Sequence, residues 1–217
     1  PEAFRQLDFI RTLANSLLIT VSSVIVIVIF SAMAAYALER IKSKFSTITF
    51  MVFVAAMLVP FQSVMIPLVA LFGKAQMLNQ IGIIFMYLGF GGSMSIFLYH
   101  GAMKSIPRAL DEAAIIDGAS RWQVFWKVIF PMLKPTTVTV AVLNTMWIWN
   151  DYLLPSLVIN SPTTQTIPLK MFFFFGQYTK QWHLALAGLV IAILPVIIFY
   201  FFMQKQIIKG VADGAVK

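Results

Sequence analysis

Three carboxylates, Asp111, Glu112 and Asp117, stand close together with Ala113 and Ala114 between them and Gly118 directly after. Such a cluster pairs with cations, and nothing beside it supplies a nucleophile or base. The two histidines, His100 and His183, lie far apart, form no metal-ligand spacing and belong to no catalytic motif. Cysteine is absent, which excludes disulfides and thiolate metal sites. No Gly-x-x-x-x-Gly-Lys-Ser/Thr run is present to cradle ATP, and Gly89-Phe90-Gly91-Gly92 is too short and apolar for phosphate. The twelve methionines scatter through apolar runs and read as packing or lipid-facing groups. A second constellation is Trp147, Asn150 and Asp151, whose indole, amide and carboxylate could contact a substrate or form an outer gate. Its plainer use is helix packing and a cap. No residue is expected to be catalytic.

The acidic cluster needs a short helix to present it. Ser105 is placed to cap one, with Pro107 in the first turn, where a missing amide donor costs nothing. The helix should run through Asp117 and close at Gly118 in the left-handed conformation. Leu110, Ala113, Ala114 and Asp117 then share one face. The alanines let a partner's backbone approach, and Asp111, Glu112 and Asp117 offer charge to a basic groove. Ser120 and Gln123 form a capping-box pattern for a second helix. Along that helix Trp122, Phe125, Trp126 and Ile129 make an apolar stripe suited to a membrane interface. The stretch 105–131 is therefore a helix, a glycine corner, a second helix and a proline.

The rest of the chain must hold this loop in a bilayer. Of 217 residues, 60% are hydrophobic and 11% charged, with a mean hydropathy of +0.87. A soluble domain could not cover so much apolar surface. Crossing ~30 Å of hydrocarbon takes about 20 apolar residues as helix. Five stretches qualify, near 13–38, 46–72, 81–103, 128–148 and 184–203. The expected fold is an all-α polytopic membrane bundle of five spans, one domain over 1–217. Asn15 and Ser16 suit caps for the first span, and Pro60 and Pro67 should kink or end the second. Gly82, Gly89, Gly91 and Gly92 should let helices pack closely in the third.

Charge sets the sidedness. Arg40, Lys42, Lys44, Lys104, Arg108, Arg121, Lys127, Lys134, Lys205, Lys209 and Lys217 fall in one set of loops. Arg5, Arg11, Lys74, Lys170 and Lys180 fall in the other. The richer set should face the cytoplasm, with the acidic loop and the carboxyl end. The amino end is then outside, and a full-length chain starting in the cytoplasm would have a sixth span before Pro1. The net charge of +8 is confined to loops, so it orients the chain in the membrane and implies no nucleic-acid partner. Ionisable side chains sit only at span ends, which argues against an ion-coupled carrier. The long outer loop, 150–182, carries Pro155, Pro162 and Pro168. It also carries the run Phe172 to Phe175 and then Gly176-Gln177-Tyr178, aromatics and amides that either anchor at the membrane interface or meet an external ligand.

Glu112-Ala113-Ala114, three residues, Gly118, nine residues, then Val128, Ile129 and Phe130-Pro131 resembles the EAA loop of ABC-importer permeases. Valine and phenylalanine replace the usual isoleucine and leucine and keep those positions apolar. Ala35-Tyr36-Ala37-Leu38-Glu39-Arg40, Trp149-Asn150-Asp151 and the Gly210-to-Lys217 end are similar to carbohydrate-uptake permeases, in particular the maltose-importer G-type subunit. The resemblance implies a heterodimer with a second permease, two cytoplasmic ATPases that bind ATP and Mg, and an external sugar-binding protein. It implies that Glu112, Ala113, Ala114, Asp117 and Gly118 couple to the ATPase and that this chain binds no cofactor itself. Two other readings remain. One is an ABC permease for a non-sugar solute such as an amino acid, phosphate or polyamine. The other is an intramembrane enzyme, which would need a nucleophile and a base at matching depth.

Overall fold

The structure is a computed structural model and describes residues 2–174 and 182–215. Residues 175–178, Lys180, Val216 and Lys217, which entered the sequence reading, lie outside the described residues. Every regular element among the described residues is helical. A short α1 (Glu2–Gln6) turns at Asp8, whose φ of 47° makes the corner, into α2 (Phe9–Arg40). Then come α3 (Lys44–Ala56), α4 (Phe61–Lys74), α5 (Gln80–Lys104), α6 (Ala109–Ile116) and α7 (Arg121–Gln123). A π-turn over Val124–Ile129 leads into α8 (Phe130–Met132) and α9 (Lys134–Asn150). The chain continues through α10 (Leu153–Val158), α11 (Ile167–Met171) and α12 (Trp182–Ala215).

By length and composition three helices can cross a membrane, Phe9–Arg40, Gln80–Lys104 and Trp182–Phe201. The number is five if each of two broken pairs, α3 with α4 and α7–α8 with α9, counts as one span. The fourth expected span is thus not one straight helix. It bends by 76° where Met132 gives way to Lys134. Pro131 and Pro135 flank the bend, and each removes an amide and crowds the carbonyl four residues back. The break between α3 and α4 lies at 57–60, as Pro60 predicted, whereas Pro67 is carried inside α4.

Close contacts divide the chain into two units, Pro1–Ser23 with Phe61–Met86 and Asn144–Gln204, and Val24–Pro60 with Tyr87–Leu143 and Lys205–Lys217. In the first, Ala3, Leu7, Trp149, Ile167, Met171, Phe174, Leu184 and Ala185 form a buried apolar cluster. Asn15 and Ser16 do not cap α2, which starts six residues earlier than Asn15, at Phe9. They tie it to remote segments instead. The Asn15 amide donates to the carbonyls of Thr163 (2.9 Å) and Gln165 (3.0 Å) and accepts from Gln80 Nε2 (3.2 Å). Ser16 Oγ accepts from the amide of Ile167 at 2.9 Å. Buried helix faces in lipid need such bonds, because no water is there to supply them.

The glycines of α5 pack unevenly: Gly91 and Gly92 are buried, with Ser31 Oγ of α2 donating to the Gly92 carbonyl at 3.4 Å, whereas Gly89 is exposed. A Cβ added at Gly89 would meet nothing within 4 Å, and one at Gly92 would make ordinary contact with Leu88 and Ser31. Gly82 is different: its Cβ would collide with the backbone carbonyl of Met77, in the turn that enters α5. Changing Gly82→Ala should therefore cost about 1–3 kcal/mol of overpacking strain. We expect a melting temperature several degrees lower for the detergent-purified protein, while Gly89→Ala stays at the wild-type value.

Candidate functional site

The elbow that begins at Ala109 is built by local rules. The Gly118 φ of 86° places it in the left-handed region, where a side chain would be strained. Its amide donates to the Ile115 carbonyl (3.0 Å), and the Ala119 amide donates to the Ala114 carbonyl (2.9 Å). These two bonds are a Schellman closure, which satisfies the last carbonyls of α6. Ser120 and Gln123 then bond reciprocally. The Ser120 amide donates to Gln123 Oε1 (2.8 Å), and the Gln123 amide donates to Ser120 Oγ (3.3 Å). The helix start differs from expectation. Ser105 Oγ donates back to the Ala102 carbonyl at 2.7 Å, so it finishes α5, and α6 begins at Ala109 without a side-chain cap.

Asp111 also departs from its expected role. Its carboxylate is buried and turned inward, where it accepts from Tyr36 Oη at 2.8 Å and from Arg40 Nε at 3.2 Å. Arg40 Nη2 lies 2.9 Å from the second carboxylate oxygen, which completes a two-point ion pair. The same Nη2 donates to the Ile106 carbonyl (3.3 Å), and Arg108 Nη2 donates to the Glu39 carbonyl (2.5 Å). Tyr36 and Arg40 are one turn apart at the end of α2, so both reach one side of α6. Asp111 thus fastens α6 to α2 and is not offered to a partner.

The second arm locks in the same direction. Phe125 and Ile129 are buried, and the Phe125 ring lies 5.4 Å from that of Tyr36. The expected interface stripe is therefore split, because Trp122 is exposed while Phe125 and Ile129 face the protein. The cause is the π-turn, in which the Phe130 amide reaches back to the Phe125 carbonyl. Pro131 pushes against the carbonyl of Lys127, four residues back, and a widened turn makes room for its ring.

Still outward on α6 and the corner after it are Leu110, Glu112, Ala113, Asp117 and Gly118, all exposed, with Ala114 half-buried beside them. Ile115 and Ile116 are exposed too, Ile116 by 85%. Neither isoleucine entered the docking face drawn from the sequence. A bare isoleucine next to a carboxylate is the signal that marked them. This face is small, apolar at its centre and acidic at its edge. It suits docking and holds no reacting group.

Trp147, Asn150 and Asp151 belong to the other unit. Asn150 Nδ2 donates to the Met146 carbonyl (2.7 Å), and Asp151 Oδ1 accepts from the amides of Leu153 (2.9 Å) and Leu154 (3.4 Å). Asp151 therefore caps α10 and not its own helix. The Trp147 indole and the Asn150 amide are the exposed members of the three.

Comparison with known proteins fits a helical membrane chain. The profile of the family described as binding-protein-dependent transport system inner membrane component matches residues 27–213. The chain belongs to that family. It is 59% identical to the probable starch degradation products transport system permease protein AmyC of Thermoanaerobacterium thermosulfurigenes. That match covers 99% of this chain and 78% of the relative. It is 40% identical to the multiple sugar-binding transport system permease protein MsmG of Streptococcus mutans, over 94% of this chain and 75% of the relative. Among solved structures, a bacterial ABC transporter involved in import of the acidic polysaccharide alginate superimposes with a TM-score of 0.76. It is 26% identical and covers 94% of this chain and 78% of its own. The matched region of the family includes the Tyr36–Arg40–Asp111 clamp and the whole elbow.

Proposed function

We propose that this chain is the membrane-spanning permease subunit of an ATP-driven importer that moves an oligosaccharide into the cell. The observation that carries the reading is the elbow, with its outer face bare and its inner face ion-paired to the end of a membrane helix. The sugar assignment draws on the printed roles of AmyC and MsmG. ATP and Mg are held by two partner ATPase chains, a second permease completes the membrane pore, and a sugar-binding protein delivers cargo from outside. The elbow and carboxyl end face the cytoplasm, as the loop lysines and arginines favour.

The mechanism follows from differential contact. ATP biases the membrane state only through a part held differently in the two ATPase states. Here that part is α6. Glu112 pairs with a cation on the ATPase, Ala113 and Ala114 allow close approach, and Asp117 and Gly118 form the rim of the docking face. Asp111 and Arg40 pass the displacement of α6 to α2, whose apolar length spans the bilayer. On the opposite face Trp147 stacks on sugar and Asn150 hydrogen-bonds to it, while Asp151 keeps the loop in place. Cells lacking this gene should lose uptake of labelled maltooligosaccharides and regain it with the intact chain. The tagged permease should bring the ATPase down with it. Unaltered uptake of every oligosaccharide tried, with loss of amino-acid or polyamine uptake instead, would move the substrate to another class.

A further inference from the structure

A groove of about 700 Å³ opens beside the elbow, between the end of α2, the start of α3 and the end of α5. Two kinds of surface meet in it. Lys42, Lys44 and Lys104 bring three ammonium groups, and Ile41, Ile48, Phe50 and Met51 bring an apolar wall. All three lysines are exposed, and among the described residues no carboxylate pairs with them. Glu39 and His100 also line the groove, where Glu39 Oε2 lies 3.3 Å from His100 Nε2, so one carboxylate stands against the three lysines. The His100 ring in turn stacks on Phe50 at 3.9 Å, which stiffens the back of the groove. Ile48 and Met51 remain 62% and 58% exposed. The first turn of α3 begins at Lys44, so the positive end of a thirteen-residue helix dipole faces the same opening.

We propose that this groove binds one anionic phospholipid, headgroup on the lysines and acyl chain along Ile48 and Met51. Three exposed cations against one carboxylate, at the ends of membrane helices, fit a phosphodiester at headgroup level. An exposed apolar wall running from them into the span fits an alkyl chain and no soluble ion. The leaflet is the cytoplasmic one, and this part rests on the topology proposed above. The functional consequence is positional. Arg40 follows Glu39 directly, so a lipid seated here braces the end of α2 that holds α6.

The test uses the complete transporter, with this chain at full length, purified in mild detergent and examined by native mass spectrometry. Phosphatidylglycerol, phosphatidylcholine and free glycerol 3-phosphate are the probes. One phosphatidylglycerol should be retained about tenfold more strongly than phosphatidylcholine. The combined change Lys42→Gln, Lys44→Gln and Lys104→Gln should abolish that preference, and Met51→Trp should weaken retention with the charges intact. Lys74→Gln, in α4, should do neither. Retention unchanged in the triple variant overturns the proposal, as it would if a neighbouring subunit filled the groove. Glycerol 3-phosphate competing as well as the lipid also overturns it. Topology is read separately. The chain has no cysteine, so a single Lys42→Cys can be probed on intact cells with a membrane-impermeant maleimide. Labelling from outside sinks the sidedness, whereas protection from labelling without lipid selectivity sinks only the groove.

Discussion

Changing Arg40→Leu should reduce sugar uptake by roughly 100-fold and leave the protein inserted in the membrane. The argument is one of unbalanced charge. In the native protein Asp111 is 8% exposed and shares its two oxygens between Tyr36 and the Arg40 guanidinium. Removing one partner of a buried pair strands the other, at a cost of about 3–5 kcal/mol. The protein avoids that cost by letting α6 swing out until Asp111 reaches water. In the proposed coupling, an elbow that has swung out would still meet the ATPase but no longer move α2. ATP hydrolysis by the complex should then persist and lose its dependence on substrate. Removing both charges together, Arg40→Leu with Asp111→Leu, should recover much of the seating, because neither group is left unpaired. Tyr36→Phe removes one hydrogen bond to a charged group and should cost about 1.5–3 kcal/mol at most. Single variants that transport within twofold of wild type would mean that the clamp carries no force.

Charge reversal on the opposite side of the same helix gives the second large effect. Glu112 is exposed, and no ion pair or hydrogen bond of its side chain is found among the described residues. In Glu112→Lys the local fold should lose no more than about 0.3–1 kcal/mol: the site is open to solvent and lysine forms helices about as well as glutamate, but the position lies in the first turn of α6, where the helix dipole favours an acid. The assembled complex should suffer more. In the proposed docking an ammonium would replace a carboxylate opposite a cation of the ATPase, turning attraction into repulsion, and like-charge juxtaposition at an interface costs several kcal/mol. We expect the ATPase to co-purify at least tenfold less, with uptake lost and the isolated subunit nearly as heat-stable as before. Normal co-purification would remove Glu112 from the interface. A larger loss of heat stability would assign it a structural role.

The two variants also show which parts of the site could be read in advance. Gly118, Ser120 and Gln123 act on neighbours a few residues away, so their types and spacing already describe the corner and the capping box. Asp111 could not be separated from Glu112 and Asp117 in that way. Its partners lie 75 and 71 positions earlier, and only the tertiary structure reveals which carboxylate turns inward. The hexapeptide from Ala35 to Arg40 is visible as a family likeness, yet Tyr36 has no task in that reading and Arg40 counts only as an orienting cation, because their contact with α6 is tertiary. The span count was legible for long uninterrupted helices such as α2 and α5. It was less so around Pro131 and Pro135, where hydropathy continues through a bend that backbone chemistry imposes. Glycine spacing misled at one position, Gly89, for a related reason. A Gly-rich helix permits close approach, but a neighbour must be there to use it, and beside Gly89 none is.

The bonds of Asn15 and Ser16 bear on how the protein is made. Their acceptors and donor at Thr163, Gln165 and Ile167 lie 148 to 151 positions later. At usual ribosomal speeds of about 5–20 residues per second, α2 waits roughly 10–30 s for these partners to leave the tunnel. Throughout that interval an amide and a hydroxyl near the start of the helix need a temporary host, either interfacial water or a polar seam in the insertion machinery. The nascent protein is most exposed to quality-control proteolysis during this pause, and a chain stalled before Thr163 never leaves it.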